Sequence, residues 1–122
     1  MAKTRRAGTR RISDAGHAAR VSPARLEQLI EEATVDCYND SEQVSGLYTM
    51  VDDNLELPFE TEVLGARVIV EGVDVGDDES IVAVCRKGPT RQRIPLIDLP
   101  LPVPPPRGAE WVAAYRRWAK GR

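Results

Sequence analysis

The chain has 122 residues, 42% of them hydrophobic and 30% charged, with a formal net charge of −2 and two cysteines. That length supports one domain with its own core, needing neither disulfides nor a structural metal. Cys37 and Cys85 lie far apart, without CxxC spacing or neighbouring histidines, which argues against a zinc site or disulfide framework and for two buried reduced thiols.

Charge is distributed in three blocks. Residues 1–25 carry seven basic residues against Asp14, residues 26–80 carry sixteen acidic residues against Arg67 alone, and residues 81–122 carry nine basic residues against Asp98 and Glu110. So much negative charge in under half the length repels itself, and bound cations or facing basic segments are two ways to relieve it.

Residues 1–21 are rich in Arg, Ala, Gly, Ser and Thr and are expected to form a basic disordered tail, because they hold too little apolar surface to offset the entropy of ordering. They contain no apolar signal region, and no later stretch nears the roughly 18 apolar residues of a membrane span, so a cytoplasmic protein without membrane contact is expected. The domain is expected over 22–122. Ser22-Pro23 reads as an N-cap with proline at the first helical position, and Leu26, Leu29, Ile30, Ala33 and Cys37 recur at helical spacing, predicting a helix over about 23–38. Asp40 with Gln43 matches a capping box for a second helix to about Asn54, with Val44, Leu47, Tyr48, Val51 and Leu55 as its apolar stripe and Pro58 beyond its end. The two form a helical hairpin over 23–55.

From Phe59 the period changes to two. Strands are expected over 59–64, 68–70, 81–86 and 93–99, with turns at Gly65, at the 75–80 loop and at 87–90. Short strands with tight turns suggest a small, curled antiparallel sheet of the SH3-like kind, so the fold class is α+β. Pro100, Pro102, Pro104, Pro105 and Pro106 then force an extended strut, with a peptide ligand for SH3 or WW domains as the alternative use of the same chemistry. A last helix over 108–120 places Trp111, Tyr115 and Trp118 on one face, read as docking on the core, or else as offering a partner groove.

The only histidine, His17, falls in the tail, so no Ser/His/Asp or Cys/His set forms from fixed groups; there is no GxxxxGK[ST], and no GxGxxG after a strand. A non-enzymatic protein is expected. Hard divalent cations need several oxygen ligands, and calcium takes six to eight at flexible geometry. Three clusters supply them. Glu32, Asp36 and Asp40 step by four along a helix face if the first helix reaches that far, joined by Asn39 and Glu42. Asp52, Asp53 and Glu56 sit at the second helix's C-terminal end, where the dipole disfavours carboxylates unless a cation or base neutralises them. Asp74, Asp77, Asp78 and Glu79 form the third. No EF-hand fits: a loop started at Asp74 puts Glu79 where glycine is required and Cys85 where the bidentate glutamate belongs.

The runs from Glu31 to Gln43 and from Asp53 to Phe59, then Val63-Leu64-Gly65, residues 81–86, residues 91–96 and Asp98-Leu99-Pro100-Leu101-Pro102, resemble the cyanobacterial-type small calcium-binding protein family over roughly 26–118. The resemblance implies a small, acidic, non-EF-hand protein that binds and buffers calcium ions; it does not carry a ligand list. The basic tail departs from the family pattern and offers a route to a protein partner. A nucleic-acid or protein interaction module using the basic ends is the rival reading, weakened by the acidic middle, which repels a polyanion.

Overall fold

The computed structural model describes residues 21–121. The tail expected over 1–21 therefore lies outside the described residues, apart from Val21.

Helix α1 (Pro23–Ala33) opens as expected: the Ser22 hydroxyl accepts the Arg25 N–H at 3.1 Å and proline takes the first turn. It closes five residues earlier than the periodicity predicts. Thr34 folds its hydroxyl back onto the Ile30 carbonyl at 2.7 Å, the next residue is the β-branched Val35, and Asp36 turns the chain at φ 61°. Glu32, Asp36 and Asp40 consequently do not share a helix face. Helix α2 (Asp40–Asn54) starts where expected, but its cap is Asn39 rather than Asp40: the Asn39 side chain accepts from Glu42 N–H at 2.8 Å, and Glu42 reaches back to the Tyr38 N–H at 2.6 Å. The helices meet at Gly46, where a Cβ would fall 2.1 Å from the Ala33 carbonyl oxygen, so only glycine permits this approach.

Four strands follow: β1 (Phe59–Val63), β2 (Ala66–Val75), β3 (Ile81–Lys87) and β4 (Thr90–Pro95). They form an antiparallel meander in the order β1-β2-β3-β4. Leu64 and Gly65, both at positive φ, make the two-residue β1–β2 turn, and Gly88 at φ 58° opens the β3–β4 turn. Between Val70 and Gly72 the register shifts, leaving Glu71 as a bulge residue. The last strand ends at Pro95 rather than Leu99, and Leu96–Asp98 form a 3-10 turn.

The proline-rich strut is fixed by its carbonyls. Thr61 donates to Pro100 O at 2.6 Å, and the Arg116 guanidinium donates to Leu96 O and Leu99 O. The strut leads to helix α3 (Ala109–Lys120), entered through Gly108 at φ 87°, whose Cβ position is blocked by the Asn54 carbonyl. Trp111 and Tyr115 are buried as the stripe predicts; the Tyr115 hydroxyl accepts the Ile81 N–H at 3.0 Å, and the Trp118 indole N–H donates to Gln43 at 2.8 Å. One core results, joining Leu29, Leu47, Val51 and Val112 of the helices to Val70, Ile81 and Cys85 of the sheet. Both cysteines are free. Cys85 is buried, and burial pushes its thiol pKa up. Cys37 departs from the expected burial: in the α1–α2 turn it is half-exposed, its thiol 3.4 Å from the Glu42 carbonyl.

Candidate metal centre

The sheet and the helical hairpin bring two of the three acidic clusters to the same end of the molecule. The α1–α2 turn carries Asp36 and Asn39, and the first turn of α2 carries Asp40, Ser41 and Glu42. Across from them the β2–β3 loop carries Asp77, Asp78 and Glu79. The join is direct: the Ser41 hydroxyl donates to Glu79 Oε2 at 3.2 Å, spanning 38 positions of sequence. Ser41 was not among the predicted site residues, and its neutral side chain gave no charge signal to find it by.

Local hydrogen bonds set the loop. Gly76 and Ser80 close it backbone to backbone at 2.8 Å, Glu79 takes φ 62°, and Asp78 accepts from both the Ser80 N–H and hydroxyl at 3.1 and 2.7 Å. The Ser80 hydroxyl, then its N–H, hold the Asp78 carboxyl below its ordinary range, so the group is ionised at neutral pH. Burial, and less strongly the charge of Asp78, push the Tyr115 hydroxyl up, with the Ile81 N–H acting against them. Among the described residues, two of the three non-glycine residues at positive φ, Asp36 and Glu79, lie at this end.

Asp74 does not join this group. It pairs with Arg93 and accepts the N–H of Val75. Asp52 lies on its side of the helix layer: burial, then the charges of Asp52 and of Asp74, raise the pKa of Tyr48, whose hydroxyl donates to Val73 O at 3.4 Å. Asp53 lies about 20 Å along α2 from Asp40, and Glu56 follows just beyond the helix end. They line a surface cleft of about 660 Å³ together with Asn54, Arg107 and Glu110, closed by the Glu56 N–H to Arg107 O bond at 2.8 Å. Glu110 was missed by the sequence reading; its place in the first turn of the last helix is the signal that could have found it.

Among the described residues no three His, Cys, Asp or Glu side chains converge at metal-ligand spacing. The carboxylates ring a surface rather than forming a closed cage. Their chemistry suits a hard cation: carboxylate, amide, hydroxyl and loop carbonyl oxygens, with no thiolate or imidazole set for a softer metal. No helix among the described residues is long and apolar enough to cross a membrane.

Comparison with known proteins agrees with the donor chemistry. The crystal structure of CcbP from Anabaena superposes with a TM-score of 0.61 at 22% identity, covering 81% of this chain and 92% of that one, a likeness of fold. No curated protein matches the chain. A family model described as calcium binding, named for CcbP, matches residues 27–119, most of the chain. The chain belongs to the CcbP calcium-binding family, and calcium is the ion it binds.

Proposed function

We propose that the protein buffers calcium without catalysing a reaction, in the cytoplasm, and that the ion is held where the α1–α2 turn and the first turn of α2 face the β2–β3 loop. The observation that carries this placement is the Ser41 to Glu79 hydrogen bond, which ties two acidic clusters distant in sequence into one surface. Asp36, Asn39, Asp40 and Glu42 supply oxygens from the helical side, and Asp77, Asp78 and Glu79 from the loop. Glu42 and Asn39 already use one oxygen each as caps and keep lone pairs to share. Residues 22–122 form the binding unit, and the basic residues 1–21 are a separate extension suited to a protein partner.

A second site is favoured by the cleft lined by Asp53, Glu56 and Glu110, where carboxylates at the C-terminal end of α2 meet the negative end of the helix dipole. Arg107 lines the same cleft, and its backbone N–H donates to Glu56 Oε1 at 3.4 Å. The nucleic-acid reading is weakened at the sheet, where acids of β2 offset most of the basic charge: Arg86 and Arg91 both bind Glu71, at 2.6 and 2.9 Å, and Arg93 binds Asp74.

The test is calcium calorimetry on chelator-stripped protein in roughly 0.15 M salt, where diffuse attraction is largely screened. Asp36→Gly with Glu79→Gly removes two carboxylates at positions where glycine suits the backbone, so the fold should hold while affinity falls about tenfold or more. Asp53→Asn with Glu56→Gln should lower only a second, separable binding step. Equal, small losses from both pairs would mean counterion attraction instead of a site.

A further inference from the structure

The core uses one face of the sheet. Val68, Val70, Val73, Ile81, Ala83 and Cys85 belong to it, whereas the residues that alternate with them lie outside that cluster, Val82 being buried on the other side at the Asp74 end. An antiparallel sheet can leave such a face in water, but here the face has a graded charge. The strand register lays Glu60, Ile69, Arg86 and Arg91 in one row across all four strands, acid at the β1 edge and arginine at the β4 edge. The positions flanking that row keep the same polarity at the two edges, Glu62 beside Arg67 on one side of it and Arg93 beside Val84 on the other. Ile69 and Val84, half-buried, form an apolar stripe between the edges.

Pairing within the face does not cancel the gradient. Arg67 binds Glu60, and Arg93 binds Asp74; Glu71 is shared by Arg86 and Arg91, leaving one positive charge over on the β4 side, while Glu62 has no basic partner among the described residues. The side chains at the rim remain reachable, at 56% exposure for Glu60, 64% for Arg91 and 54% for Arg93.

We propose that this face joins two copies of the chain, related by a two-fold axis running along the strands. Rotation about that axis turns one face onto the other and sets β1 of each copy over β4 of its partner at the same height along the strands, so Glu60 meets the partner's Arg91 twice, with Ile69 and Val84 between these two contacts and Glu62 and Arg93 flanking them. A two-fold axis across the strands would set acid on acid and arginine on arginine; charge selects the first. Four strands spaced about 4.8 Å apart give a face about 19 Å wide and roughly 20 Å long, on the order of 400 Å² in projection. That is below the roughly 800 Å² per partner of a standard interface, so the dimer is weak and concentration-dependent.

Sedimentation equilibrium of the full chain from micromolar to millimolar concentration should show a monomer–dimer equilibrium, weakened about tenfold between low and high salt. Two charge-swap variants decide the surface. Glu60→Arg with Glu62→Arg makes both edges basic, and Arg91→Glu with Arg93→Glu makes both acidic. Each alone should be monomeric, and mixed in equal amounts they should form a heterodimer, because each edge then meets its opposite; a variant that had only lost its fold could not be rescued by mixing. Val84→Asp, on the outward stripe, should abolish dimerisation in a chain whose circular dichroism is unchanged. A wild-type chain monomeric throughout, left solvated or reserved for a different partner, would overturn the proposal. So would a dimer that all three variants leave intact, or folded swap variants that fail to pair.

Discussion

Glu71 shows how a single residue settles a local charge conflict. As the bulge residue it has no backbone partner on β3, and its carboxylate meets Arg86 and Arg91, which face each other across β3 and β4 and would otherwise repel. Hydrogen bonds from Arg91, then Arg86, hold its pKa below the ordinary glutamate value. Since the folded pKa lies below the unfolded one, this contribution is complete above about pH 4.3 and is lost as pH falls through the lower folded value. Glu71→Gln should therefore lower stability most above the ordinary glutamate range, with the gap from wild type closing as pH falls below it; urea melts at neutral and acid pH would show it, and a gap independent of pH would deny it. Buried groups follow the same logic with opposite sign, as Arg116 shows: burial lowers its pKa, and its guanidinium is held by strut carbonyls rather than a carboxylate.

At the scale of elements, packing decides what periodicity left open. The approach of α1 to α2 depends on Gly46, and Gly46→Ala should cost about 1–2 kcal/mol net, overpacking against Ala33 exceeding the helix propensity that alanine regains. A melting point raised by the substitution would mean that the helices separate at little cost. The hairpin, the strand turns, the strut and the aromatic stripe of α3 were legible because each is written in local chemistry: Ser22-Pro23, the Gly88-Pro89 turn, the prolines, and Trp111 with Tyr115. The early end of α1 was not, because helical spacing from Leu26 to Cys37 continues through a segment where Thr34 bonds back to Ile30 and Asp36 reverses the chain. Nor was the split of the acidic residues. Composition treats Asp74 as equivalent to Asp78, yet one faces Arg93 and the other Ser80, a distinction made by strand register.

For the whole molecule, the uneven charge along the chain becomes a division between surfaces: arginines on β3 and β4 are answered by acids of β2, and on the proposed assignment the carboxylates of the turn and the β2–β3 loop serve a cation. Calcium that binds the folded chain alone stabilises it by mass action, about 2.7 kcal/mol at a hundredfold excess over Kd, so the melting point should rise by roughly 10–20 °C and return on adding chelator. An unchanged melting point would show that the ion is indifferent to folding. The hydroxyl of Ser41 resting on Glu79 has a further meaning if the protein buffers calcium as proposed. On the proposed assignment neither half of the grip exists without the other, since unfolding leaves every acid in the chain but scatters them. Heat or acid severe enough to melt the fold would then empty the store in one cooperative step, releasing its cargo as a pulse where a string of independent carboxylates would only leak.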